Sequence, residues 1–156
     1  MVLTGSGTAE ATTHDPFDLT RFVIAQNSDA IYHQAVAELR AGCKVSHWMW
    51  FVFPQMAGLG HSPMSQRYAV SCLDEARSYL QHAVLGPRLR EVSTIVSTAH
   101  GSTASEIFGG IDAPKLQSSM TLFARALPTE PVFQAVLDKF FDGVPDRATD
   151  RLVDVS

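Results

Sequence analysis

Apolar residues recur along most of the chain at helical spacing, interrupted every ten to eighteen residues by Gly, Pro, Asp or Ser. Leu19, Phe22, Val23 and Gln26 fall at i, i+3, i+4 and i+7, one face of a helix. Asp15-Pro16 precedes them and predicts the helix start: Asp accepts from unpaired N–H groups, and Pro has no donor to waste in the first turn. Asn27-Ser28-Asp29 breaks that pattern. A second stripe, Ile31, Ala35 and Leu39, predicts a helix to about Arg40, with Gly42 as a left-handed stop. Later stripes run through Ala76, Tyr79 and Leu80; Leu85, Leu89, Val92 and Val96; Ile107 and Phe108; Leu116, Met120, Phe123 and Leu127; and Val132, Phe133, Val136, Leu137 and Phe140. Ser102 or Thr103 with Glu106 makes a partial capping box, Gly109-Gly110 a stop, and Asp112-Ala113-Pro114 a fresh start. Asp146 to Asp154 reads as a last helix, anchored by Leu152 and Val153.

One stretch departs from this period. From Ser46 to Gln55 both alternate sets are apolar, with Trp48, Trp50 and Val52 set against Met49, Phe51 and Phe53. It predicts a buried segment, either strand-like or a helical turn stopped by Pro54. No pair of alternating strands stands out elsewhere. The pattern predicts an all-α fold of seven to nine short helices in one domain over 15–154, after a small, polar and disordered arm over 1–14.

Composition narrows the function classes. Of 156 residues, 46% are hydrophobic and 18% charged, a globular balance. A chain of that size buries roughly 70% of its unfolded surface and needs no staples. The net charge of -4, with 12 scattered Lys and Arg, argues against nucleic acid, whose binding needs a clustered positive field. Two cysteines, Cys43 and Cys72, form neither a disulfide framework nor a Cys-x-x-Cys pair. A reducing cytoplasmic setting is the expectation. No apolar run approaches the length of a membrane span. The six histidines show no i, i+4 pairing, so no metal site is expected, and no cofactor motif is present.

The decapeptide Ser46-His47-Trp48-Met49-Trp50-Phe51-x-Phe53-Pro54-Gln55 resembles a mainly bacterial family known as domain of unknown function eighteen-ten, sometimes labelled calpastatin. The similarity extends through Asp15-Pro16-Phe17, Ala25-Gln26, Gly58-Leu59-Gly60-x-Ser62, Tyr68-Ala69, Asp74-Glu75-Ala76, Leu85-Gly86-x-Arg88-Leu89, Ile107-Phe108-Gly109 and Lys115-Leu116-x-Ser118-Ser119-Met120, about residues 15 to 141. The resemblance implies one all-helical domain and no assigned activity. A fainter kinship with NADAR-type proteins, which cleave an N-glycosidic bond in ADP-ribose-related compounds, transfers no catalytic residue, because their acidic motif is not laid out here.

The residues themselves suggest where a site would lie. Trp48 and Trp50 could floor a pocket and stack a flat ligand; aromatic core is the plain alternative. Ser46, His47 and Gln55 bracket them, and a polar rim on an apolar floor is the form of a small-molecule site. His47 is a candidate acid or base. Gly58, Gly60 and Ser62 form a turn before a helix start, a weak anion-binding signal beside which an ordinary Ser-capped turn is the plainer reading. Lys115 shares a helix face with Ser118 and Ser119, an arrangement in which a lysine activates a serine or holds an anion. Glu106 and Asp112 could orient Lys115, though capping explains both. Arg21 and Arg88 could hold anions or pair on the surface. Two functions follow: a small-molecule binder or hydrolase for a nucleotide-like or ADP-ribose-like compound; or a non-enzymatic protein-interaction module in which the aromatics are core only.

Overall fold

The computed structural model describes residues 14–155. All of the N-terminal arm read over 1–14 except His14 lies outside them. The chain is organised at its start by Asp15. Its carboxylate accepts from Leu19 N (2.8 Å), Thr20 N (2.9 Å) and Thr20 Oγ1 (2.8 Å). Burial alone would raise its pKa, but these bonds outweigh it and hold the carboxyl below its ordinary range. Asp18 is left-handed (φ 53°), so the chain turns once more and α1 begins at Thr20, four residues after the expected Pro16.

Helix α1 spans Thr20–Asn27 and α2 Ile31–Arg40, joined by a 3₁₀ turn, Ser28–Ala30, in which Asp29 and Ala30 are both left-handed. The aromatic stretch resolves into a single helical turn, α3 (Met49–Val52), ended by Phe53-Pro54. A lone parallel bridge then joins Met56 to Val70 through Ala57 N to Val70 O and Val70 N to Gln55 O, both 2.8 Å. It clasps the loop that carries α4 (Pro63–Arg67). Among the described residues there is no strand.

Helices α5 (Leu73–Gln81) and α6 (Leu85–Ser97) are separated by a sharp break at His82, as the pattern predicts. His82 Nδ1 accepts from Val84 N (3.1 Å) and Leu85 N (3.3 Å). Next to it, Gly86 lies so close to α5 that a Cβ would sit 2.1 Å from Leu80 O.

Helix α7 (Ala104–Ala126) joins two helices that the pattern separates. Gly109 (φ 83°, ψ 164°) is non-helical, so the glycine does break the α-helical path, but the helix resumes at once. The capping box is complete: Thr103 Oγ1 accepts from Glu106 N (3.1 Å) and Glu106 Oε1 from Thr103 N (2.7 Å). Helix α8 (Pro131–Phe141) closes on left-handed Asp142, and α9 (Arg147–Val155) starts where Asp146 caps Thr149 N (3.0 Å).

Helix α7 lies against α5, α8 and α9, while α6 packs on α5, α8 and α2; α1 joins α2 and α3. One apolar core unites them, with Phe22, Trp48, Phe53, Tyr79, Leu116, Met120, Phe123 and Phe133 fully buried. Burial of such side chains contributes about 1.5–3 kcal/mol each. Two polar networks thread the core. Gln26 Nε2 donates to Phe51 O (2.7 Å) and Tyr79 Oη (3.2 Å), and its Oε1 accepts from Arg88 Nη1 (3.1 Å). Buried Glu75 takes Arg21 Nη2 (3.0 Å), Ser71 N (2.9 Å) and Ser71 Oγ (2.8 Å). Arg21 and Arg88, weighed above as anion ligands, are thus structural ties.

Candidate functional site

The aromatic decapeptide divides into a core half and a surface half. Helix α2 ends against the turn 41–47, and Glu38 reaches across to it. Its carboxylate accepts from Val45 N (2.8 Å), Ser46 N (2.9 Å), Ser46 Oγ (2.7 Å) and the indole Trp48 Nε1 (2.9 Å). Burial pushes this carboxyl up, but the bonds from Ser46, Val45 and Trp48 outweigh it and bring the pKa to about 2. Ser46 and Trp48 are therefore held by structure. Trp48 is wholly buried, packed on Phe53 and Phe108. It serves as core rather than as an open pocket floor.

Trp50 sits differently. It is half-buried, and Lys115 Nζ lies 5.1 Å above its ring. Lys115 donates to Asp112 Oδ1 (2.9 Å), and Lys44 donates to Asp112 Oδ2 (2.9 Å) and to Ser46 O (2.6 Å). Lys44 Nζ is also 5.0 Å from the Trp48 ring. Two ammonium groups thus share one carboxylate, each above its own indole. Asp112 responds to both: burial would raise its pKa, yet the lysine bonds hold it below the usual carboxylate range. The Lys44 side chain is 7% exposed and that of Lys115 25%, so Lys115 is the ammonium within reach of a ligand. Val45 (73% exposed) and Ile111 (82%) adjoin the triad in sequence, and Lys44 N bonds to Ile107 O (2.7 Å).

Beside Trp50 is a crevice lined by Gln55, Met56, Leu59, Gly60, Ser65 and Tyr68, with about 10 Å³ open to water. That is room for about one water molecule. The structure brings Trp50, Gln55 and Gly60 together here. The other expected residues lie elsewhere. His47 is exposed and Ser62 caps Ser65 N (3.1 Å) in a five-residue helix. Gly58 (φ 101°) packs its backbone on Leu152. Ser119, one turn beyond Lys115, is fully buried and its Oγ has no partner among the described residues; a reaction at that hydroxyl would need an opening. Glu106 is occupied by capping.

Sequence reading missed Lys44 and Glu38. Neither belongs to a stripe or motif, and both acquire a role only through contacts across the fold. Among the described residues no group of three or more His, Cys, Asp or Glu could hold a metal, and no helix is long and apolar enough to cross a membrane.

Comparison with known proteins places this arrangement. The chain is 54% identical to a conserved hypothetical protein of Mycobacterium tuberculosis, Rv1873, whose crystal structure at 1.38 Å superposes with a TM-score of 0.88 over 91% of this chain and 100% of that one. No curated protein matches. A family model described as "Protein of unknown function (DUF1810)" matches residues 16–153. With that extent covering helices, aromatic turn and lysine–aspartate triad alike, the chain belongs to the DUF1810 family.

Proposed function

We propose that the domain is a binding module for a compact anionic ligand, taken at the edge formed by Lys115 and Trp50. One observation carries this reading: Lys44 and Lys115 share the single carboxylate of Asp112, and Lys115, the more exposed of the two, presents its ammonium beside the partly exposed indole of Trp50. An ammonium satisfies a phosphate or carboxylate, and an indole face stacks a flat ring. A nucleotide-like or ADP-ribose-like compound combines the two. The 10 Å³ crevice means that such a ligand lies across the edge and displaces Lys115 from the ring, rather than filling a preformed pocket. No reaction is assigned to the site. His47 makes no hydrogen bond among the described residues, and the Ser119 hydroxyl is sealed in the core.

A thermal-shift panel of inorganic phosphate, AMP and ADP-ribose tests the proposal. A ligand at 100 times its Kd stabilises by about 2.7 kcal/mol. Lys115→Met and Trp50→Leu should each abolish the shift while leaving the apo protein folded. A flat panel would sink the reading. It would favour a protein-interaction module, which the exposure of Val45 and Ile111 beside the same lysines supports.

A further inference from the structure

A second cavity shares no residue with the Trp50 edge. It measures about 200 Å³ and is lined by Arg77, Leu80, Gln81, Arg90, Ala126 and Leu127. Its walls come from α5, α6 and the end of α7. Leu80 and Ala126 are nearly wholly buried, so the floor is hydrocarbon. An apolar cavity of about 150 Å³ accepts a benzene ring, so this one has room for a single ring or a short branched chain.

Two guanidinium groups stand at its rim, each fixed by a carbonyl of the cavity wall. Arg77 Nε donates to Ala126 O (3.2 Å) and Arg90 Nη1 to Leu80 O (3.2 Å). Those carbonyls close α5 and α7 and, left bare, would repel an anion; the arginines cover both. Arg90 Nε is held by Glu130 at 2.6 Å. The acidic partner of Arg77 is Asp74, 3.3 Å away and 79% exposed, an arrangement that contributes little in water. The Nη2 groups of both arginines have no partner among the described residues. Guanidinium donors held in place beside a dry wall match a carboxylate attached to an apolar body.

We infer that this cavity is a binding site for a small aromatic or branched-chain monocarboxylate, its hydrocarbon against Leu80, Ala126 and Leu127 and its carboxylate on Arg77 and Arg90. Full-length protein titrated with benzoate, benzyl alcohol and acetate, followed by amide chemical shifts, separates the two halves of the site. Benzoate should saturate, moving the amides of Leu80, Ala126 and Leu127. Benzyl alcohol lacks the charge and acetate the ring, and each should bind at least about tenfold more weakly. Arg77→Gln should weaken benzoate about tenfold. Ala126→Leu, which fills the cavity and keeps both arginines, should abolish binding even if Arg77→Gln proves unstable. Equal affinity for benzyl alcohol or acetate, unchanged affinity in both variants, or no saturation by benzoate overturns the inference.

Discussion

Glu38 is the residue whose removal tests most about how the aromatic turn is held. Its carboxylate takes two backbone N–H groups, a hydroxyl and the buried indole of Trp48. Moving a carboxyl from 4.5 to about 2 corresponds to about 3 kcal/mol of stabilisation when nothing screens it. Glu38 keeps part of its surface in water, so the expected contribution at pH 7 is about 2 kcal/mol. The sign follows from a folded pKa below the unfolded one. The stabilisation is fully present above about pH 4.5 and is lost as pH falls towards 2. Urea unfolding of wild type and Glu38→Gln at pH 7, 5 and 3 measures it. The gap between the two should be about 2 kcal/mol at pH 7 and less than about half of that at pH 3. A double-mutant cycle with Trp48→Phe, which removes the indole N–H but keeps an aromatic ring, should show coupling of at least about 0.5 kcal/mol. A gap that stays flat from pH 7 to 3, or a cycle without coupling, would refute the assignment of Glu38 as the anchor of Trp48.

Two further outcomes follow from close contacts. Gly86→Ala places a methyl 2.1 Å from the Leu80 carbonyl, so α5 and α6 must separate, and thermal unfolding should show a loss of about 3 kcal/mol or more; a variant melting like wild type would mean the helices have slack. Ser119→Ala removes a buried hydroxyl that has no partner and should be neutral or stabilising by up to about 1 kcal/mol, whereas a clear loss in denaturant melts would show that the Oγ is bonded.

The helical architecture was legible because the cues were local. The Gly42 stop, the Thr103–Glu106 box and the Ser62 turn before a helix start each depend on neighbours within a few residues, and each appears in the structure. The misjudged boundaries have tertiary or backbone causes. Asp18 adopts a left-handed conformation that delays α1, and Gly109 kinks α7 without ending it, because Phe108 on one side and Ala113 on the other bury into the same core. The candidate site was legible only in part. Trp50, Gln55 and Gly60 meet, as proximity in sequence suggests. Lys44 and Asp112 meet across 68 residues of sequence, and no periodicity encodes that contact. Trp48 and Trp50 look equivalent in the sequence, but Trp48 caps α3 while Trp50 lies two residues on, inside its turn; that offset, plus the reach of Glu38, sends the first into the core and leaves the second at its edge.

The buried amide of Gln26 has a consequence for how the molecule assembles. It joins the backbone of α3, the Tyr79 hydroxyl of α5 and the guanidinium of Arg88 on α6 to its own helix α1. A collapsed chain missing any one of these four elements leaves a polar group dry and unpaired, at a penalty of about 1–3 kcal/mol. Hydrocarbon contacts tolerate many alternative packings, whereas this junction tolerates one. Partly assembled states are therefore disfavoured on the folding path, and α1, α3, α5 and α6 are committed to fold together rather than in succession.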